Sequence, residues 1–368
     1  MELIFWKNIL CHIQSSYIRE LASTDGVDVT VVVDQEMLNF RADLGWRVPE
    51  LGKAKIVVSP DRDGIRKTIA GSSPDSIHIL NGYRKVRLLE RALRELLRSN
   101  RRFGLLSEPG VSVGLKGLVG PAVYRIHCLR FWHRFDFVFA IGLRGADWFH
   151  ARGYPRDKIF PFAYITESYG QPQTILGDFS GPVHIAFVGQ LIRRKGLDLA
   201  LRALGELRDQ NWKFSIIGAG TGRNELEALA RKLSIEDRVS FLGAMGNKEI
   251  TEFLETSDLL ILPSRYDGWG AVSNEALTCG VPVICSSQCG SKDLLRESER
   301  GEVFQAGSVT ELRQALIKWI ARGRLKGCKR EQIRNWSQCI SGPSAAKYFL
   351  NVMKHVYGQS SRPVAPWL

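Results

Sequence analysis

The stretch that decides the fold is ILPSRYDGWGAVSNEALTCGVPVI, Ile261 to Ile284. An apolar run ends at Pro263, and a loop holding Asp267, Gly268, Trp269 and Gly270 follows. A helical pattern then begins near Ala271 and carries Glu275 one turn in, before a second apolar run from Val281 to Cys285. A strand, a glycine-rich loop, a helix and a strand in that order form one unit of a parallel sheet. Glycines ahead of a helix let backbone N–H groups approach a ligand, and the helix N-terminus favours anionic groups. A carboxylate on the first turn can accept two hydrogen bonds from a ribose diol. The plainer alternative leaves Asp267 as a turn residue and Glu275 as a helix cap.

The alternation extends outward on both sides. Strands are expected at His184–Val188, Lys213–Ile217, Val239–Leu242 and Leu259–Leu262. Helices are expected at Leu197–Leu207, Arg223–Leu233 and Asn247–Thr256, with Ala271–Cys279 opening the quoted helix. Upstream, strands are expected at Val27–Val33, Lys55–Ser59, Ser76–Leu80, Phe103–Leu106 and Phe135–Ile141. Ser16–Ala22 and Val86–Leu97 read as helices. The composition turns to Gln, Pro, Gly, Asp and Ser from Gln171 to Pro182, which marks a linker. The chain thus divides into an N-terminal lobe (1–175), a C-terminal lobe (181–341) and a last amphipathic helix within 342–368. Ligands of such sheets bind at the carboxyl ends of the strands beside helix N-termini, and with two lobes the natural site is the cleft between them.

A second loop bears on chemistry. In FVGQLIRRKGLDLA, Phe187 to Ala200, Gly189 closes a strand and Arg193, Arg194 and Lys195 precede the next helix. Cations there can neutralise a diphosphate; the alternative is a solvated basic loop. GAGTG, Gly218 to Gly222 and thus including Gly220, also joins a strand to a helix. It fails as a dinucleotide fingerprint, because Glu236 and Asp237 lie before the next strand and not at its end.

These motifs together resemble the family 4 retaining glycosyltransferases, whose signature is two acidic residues separated by seven others. Asp267 and Glu275 have that spacing, with Asp where the family usually has Glu. Lys195 followed by Gly196 matches the family's phosphate lysine, and Gln190 stands where Arg often follows the strand glycine. The resemblance covers Gly181 to Gly307, continues through the last helix, and implies a GT-B-like α/β fold, with two doubly wound Rossmann-like lobes facing each other across a cleft. It implies that the N-terminal lobe (1–175) binds the acceptor and that the helix within 342–368 crosses back to that lobe. It implies a donor site in the C-terminal lobe made of Gly189, Arg193, Arg194, Lys195, Gly218, Gly220, Asp267, Gly268, Trp269, Gly270, Ala271 and Glu275. Lys195, Asp267 and Glu108 are the implied catalytic residues. Glu108 stands near the end of the N-lobe strand where the family commonly has a His; His78 and His12 are the other polar candidates. Ile13-Gln14-Ser15-Ser16 occupies the place of the family's Gly-Gly loop.

The implied activity is retaining transfer of a sugar from a nucleotide diphosphate sugar to a saccharide or lipid-linked acceptor, in surface polysaccharide or glycolipid assembly. The resemblance requires no divalent metal, and neither a metal nor a cofactor is expected. A nucleotide-sugar 2-epimerase of the same fold is the alternative enzyme; it needs several further acids and a His at the site.

Composition sets outer bounds. The chain has 368 residues, 44% of them hydrophobic and 24% charged, as in soluble two-domain proteins. A formal net charge of +13 favours acidic partners. No nucleic-acid-binding motif accompanies it, so a nucleic-acid binder is the weaker reading and no such partner is expected. Arg84, Arg87, Arg91, Arg94, Arg98 and Arg101 recur at three- and four-residue steps opposite Leu88, Leu89, Ala92, Leu93, Leu96 and Leu97. YRIHCLRFWHR, Tyr124 to Arg134, interleaves aromatic and basic residues. Both make an anionic membrane surface a candidate partner; an ordinary core helix with a solvated face explains the first equally well. Seven cysteines in no paired motif, no signal peptide and no run of about 20 apolar residues point to reduced thiols in the cytoplasm, with any membrane contact peripheral.

Overall fold

The computed structural model describes residues 1–38, 47–82, 86–110, 125–126, 129–167 and 181–368. They form two compact units. One comprises the described residues from Met1 to Glu167 together with Ile340–Leu368, and the other the described residues from 181 to Cys339.

The first unit is a seven-stranded parallel sheet with strand order β3-β2-β1-β4-β5-β6-β7. Its strands are β1 (Glu2–Lys7), β2 (Asp28–Val33), β3 (Lys55–Val58), β4 (Ile77–Asn81), β5 (Arg102–Ser107), β6 (Val138–Ile141) and β7 (Ile159–Phe162). Helices α1 (His12–Ser23), α2 (Arg62–Gly71), α3 (Arg87–Arg98) and α4 (Gly142–His150) connect them. The central strand β1 is buried from Leu3 to Lys7, as a strand covered on both faces must be. On α3, Leu88, Leu89, Ala92, Leu93 and Leu96 are buried, while Arg87, Arg91, Arg94 and Arg98 are exposed. The expected stripe is therefore shorter at its end. The helix stops at Arg98, and the Arg101 guanidinium donates to the Ile69 and Ala70 carbonyls. Leu97 is half-buried, and Arg84 and Tyr124 lie outside the described residues.

The final helix, α11 (Gly342–Tyr357), completes this first unit. Phe349 packs against Phe5, Tyr17 and Phe139, with ring centroids 5.7, 6.4 and 5.0 Å away, and the Tyr357 hydroxyl donates to Asp136 at 2.8 Å. Burying an aromatic residue of this size contributes about 2–3 kcal/mol, which ties the chain's last helix to a sheet built from its beginning.

The second unit is a six-stranded parallel sheet of order β10-β9-β8-β11-β12-β13. Its strands are β8 (Val183–Val188), β9 (Trp212–Ile217), β10 (Val239–Gly243), β11 (Leu259–Leu262), β12 (Val283–Ser286) and β13 (Gly301–Phe304). The helices are α5 (Leu197–Gly205), α6 (Arg223–Lys232), α7 (Asn247–Glu255), α8 (Val272–Thr278), α9 (Val309–Ala321) and α10 (Gly327–Ser337). Strand order reverses between β8 and β11, the place where doubly wound sheets open a crevice at their carboxyl edge. The loops that follow these two strands are the ones that the sequence singles out. The expected linker falls mostly on residues 168–180, outside the described residues.

Candidate functional site

The loop after β8 turns sharply because Gly189 and Gly218 let two strand ends approach. A Cβ on Gly218, whose φ is +140°, would stand 1.9 Å from the Gly189 carbonyl oxygen. The loop then forms a short helical turn, Arg193–Lys195, and ends at Gly196 in the left-handed region (φ 67°, ψ 21°) before α5 begins. Gly196 presses on the end of β11: a Cβ there would lie 2.0 Å from the Pro263 carbonyl oxygen. No L side chain fits, so this contact requires glycine.

That contact aligns the basic loop with the loop after β11. The Lys195 ammonium donates to Asp267 Oδ2 at 2.5 Å, and Arg194 stands 3.9 Å from Asp267 Oδ1 while donating to the Tyr266 carbonyl. Lys195 and Asp267 are only 14% and 12% exposed, so water screens their attraction little. Arg193 and Arg194 are exposed.

Arg265 locks the pair of loops. Its fork grips both oxygens of Asp198 at 2.7 Å, one guanidinium nitrogen donates to the Arg193 carbonyl, and its backbone N–H donates to the Arg194 carbonyl. The hydrogen bonds from Arg265 hold the Asp198 carboxyl below its usual range, against the opposing effect of burial. Sequence reading missed Arg265 and Asp198. Their signal is weak: an Arg near a strand end and an acid in the first turn of a helix, far apart in the chain.

The loop from Asp267 to Gly270 is built from within. Backbone bonds join Asp267 to Gln288 and Gly290, and the Ser291 N–H donates to the Trp269 carbonyl. The Trp269 indole is 1% exposed and donates to Asn274 at 2.7 Å. Its side chain is thus an anchor of the loop, and the residue as a whole is buried. Gly270, at φ +91°, turns the chain into α8. Ala271 is the residue before the helix, and Glu275 lies half-buried on its first turn. Lys195, Asp267, Gly268, Gly270, Ala271 and Glu275 therefore line two loops at one switch point, with Gly189, Gly218 and Gly220 shaping the neighbouring strand ends.

The N-lobe candidates separate. Glu108 follows the carboxyl end of β5, is exposed, and accepts a 2.7 Å hydrogen bond from the Tyr164 hydroxyl. His78 is the second residue of β4 and lies toward that strand's amino end. It is fully buried, accepts from the Trp6 indole at 3.1 Å, and has Ser72 and Ser76 at its other nitrogen. Buried among Trp6 and the two serines, it packs as a core residue, and burial, with Arg101 nearby, pushes its pKa down to about 3. His12 opens α1, on the carboxyl side of β1.

In the second unit, His184 is the only histidine, and it is engaged in the core. It lies 2.9 Å from the Ser215 hydroxyl and 3.3 Å from the Thr256 carbonyl, and burial lowers its pKa to about 4. The acid–base His that an epimerase needs is therefore absent from this unit. Among the described residues no group of three potential metal ligands forms.

Comparison with known proteins converges on this unit. Residues 174–336 match the family described as glycosyl transferases group 1. The 2-deoxystreptamine glucosyltransferase of Streptomyces kanamyceticus is 31% identical over 150 residues, 40% of this chain and 37% of that protein. The lipopolysaccharide glucosyltransferase WaaG of Escherichia coli K12 is 29% identical over 154 residues, 41% of this chain and 40% of that protein. The matches thus span less than half the length of these curated relatives. Over nearly the whole chain, the fold is that of Anabaena Alr3699/HepE, solved in complex with UDP: the TM-score is 0.73 at 15% identity, covering 96% of this chain and 100% of that one. That likeness establishes the GT-B fold class.

Proposed function

We propose that the protein is a retaining glycosyltransferase that moves a sugar from a nucleotide diphosphate sugar to a saccharide or lipid-linked acceptor, in surface polysaccharide or glycolipid assembly. The observation that carries this reading is the Lys195–Asp267 pair at the switch point of the second sheet, with Glu275 on the helix turn behind it. Lys195 and the neighbouring Arg193 and Arg194 hold the donor's diphosphate and stabilise it as it leaves. Glu275 grips the ribose diol, and Asp267 is turned toward the transferred sugar. Catalysis then comes from placing the acceptor oxygen against the anomeric carbon, and the departing phosphate takes the acceptor proton. The first unit takes the acceptor, and its Glu108 orients substrate hydroxyls. The relatives act on sugars by name, which supports the class of reaction but not the sugar.

Glu275 provides the direct test. Losing a charged hydrogen-bonding partner costs about 1.5–3 kcal/mol, so Glu275→Ala is expected to weaken donor binding roughly ten- to a hundred-fold without unfolding the chain. A screen of nucleotide sugars by thermal shift identifies the donor, and calorimetry then measures the loss. Unchanged affinity removes the ribose role. The same preparation is expected to transfer sugar in EDTA with the donor's anomeric configuration kept; loss of activity that magnesium restores contradicts the metal-free reading.

The acceptor's delivery has its own observation. Arg87, Arg91, Arg94 and Arg98 line the exposed face of α3, with Arg62 and Arg66 of α2 beside them. Arg134 donates to the Leu97 and Ser99 carbonyls at the end of α3. Upstream in sequence, Ile126 and Leu129 are each 64% exposed, next to Arg125 and Arg130. Basic side chains with exposed apolar ones suit anionic lipid better than nucleic acid; each Arg near the surface contributes about 1 kcal/mol. No described helix is long and apolar enough to cross a membrane. The full chain is expected to float with anionic but not neutral liposomes, to be released by salt, and to bind less when Arg91, Arg94 and Arg98 become Glu. Equal absence of binding to both vesicle types leaves a soluble acceptor.

A further inference from the structure

A lysine is buried at the carboxyl edge of the first sheet, and among the described residues no carboxylate meets it. Lys7 closes β1 and is 2% exposed. Its ammonium donates to Gln14 Oε1, and among the described residues it forms no ion pair. The Gln14 amide in turn donates to Asn81 Oδ1 at 3.4 Å. Trp6 pairs with Leu80 across β1 and β4, so Lys7 and Asn81 end adjacent strands. Strand order reverses between those two strands, which makes this the switch point of the first sheet.

Gln14 lies on the first turn of α1. That turn contains no acidic residue. Two sources of positive potential therefore meet at one place, a whole ammonium charge and a helix N-terminus. An amide oxygen restores only part of what water gave the ammonium, so Lys7 costs the fold stability. Buried charges with ionic partners can often be replaced by apolar groups of similar volume without loss, and an unpaired one should be replaced at a gain. Burial holds the ammonium down to a pKa of about 8, opposed by Cys11.

We propose that Lys7, with Gln14 and Asn81, is an oxyanion subsite that holds a phosphate or carboxylate carried by the acceptor. The ligand's oxygen takes the place of Gln14 Oε1 on the ammonium, and transfer is thereby restricted to anionic acceptors. This rests on the reading that the first unit takes the acceptor.

The test uses the full chain carrying Lys195→Ala, so that the second unit's phosphate loop does not answer for the first. Inorganic phosphate and glucuronate, each matched in ionic strength with sodium chloride, serve as the phosphate and carboxylate probes in thermal shift and calorimetry. At least one probe is expected to raise the melting temperature, and the stronger one names the group. Adding Lys7→Met is expected to raise the ligand-free melting temperature and to weaken probe binding at least tenfold. Lys7→Gln, which keeps a hydrogen-bonding side chain, should weaken binding likewise if the Met variant does not fold. The proposal is overturned if neither probe binds the Lys195→Ala protein, or if binding survives both Lys7 substitutions. The binding readout needs no sugar transfer, so failure of the glycosyltransferase reading is told apart by an inactive wild-type chain that still binds the anion through Lys7.

Discussion

Replacing Lys195 with alanine is expected to lower kcat by about 10²–10³-fold, the loss typical of removing one preorganised group that stabilises developing transition-state charge. The geometry adds a second penalty. Lys195 neutralises Asp267 at 2.5 Å, and Arg194, 3.9 Å away and exposed, does not replace it. Without the lysine, an incoming diphosphate meets an uncompensated carboxylate that is only 12% exposed. Donor affinity should therefore fall together with kcat. Adding Asp267→Ala separates the two effects: the double variant should regain part of the donor affinity while kcat stays low, a coupling visible in a double-mutant cycle. Steady-state kinetics with calorimetry on the donor checks this. A kcat within threefold of wild type would return Lys195 to the solvated surface.

The second large effect is expected from Gly196→Ala, a change of one methyl group. The residue sits at φ 67°, which costs an L side chain about 1 kcal/mol, and its Cβ would lie 2.0 Å from the Pro263 oxygen and 2.9 Å from its carbon. Both obstacles are backbone at a strand end, so the loops must part. A loss of roughly 2–4 kcal/mol is expected, a fall in melting temperature of about 5–15 °C. Lys195, the preceding residue, should lose its register with Asp267, and activity should fall with stability. Gly307→Ala is the control. Its φ is +87° with nothing within 4 Å of a Cβ, so it bears the conformational cost alone. Similar melting temperatures for the two variants would show that the approach to Pro263 carries no strain.

Much of this was legible in the chain because its signals are local. Strand β11 and helix α11 occur within the expected bounds, and α8 differs by one residue at each end, since apolar runs, helical periodicity and glycine punctuation are written into neighbouring residues. The seven-residue gap between Asp267 and Glu275 likewise reflects one turn and one helix start. Strand β1 escaped notice, because a short apolar run before Lys7 has no alternation to betray it.

What the sequence determined by itself, then, is the alternation of strands and helices in two units, and the two loops that carry Lys195, Asp267 and Glu275. Tertiary structure alone decided which of these residues touch and which are buried. Lys195 meets Asp267 across 72 positions of sequence only because Gly196 lets the end of β11 come close and Arg265 clamps both loops. Trp269 turned inward as the loop's anchor, and His78 fell toward the amino end of its strand, among serines. The resemblance implied that the final helix returns to the first lobe, but its anchor there, Phe349 against Phe5, Tyr17 and Phe139, was not legible. The physical reason is common to all of these. Burial and pairing depend on which surfaces the sheet order brings together, and a parallel sheet joins strands far apart in the chain, so the identity of a residue's partner is written nowhere near the residue.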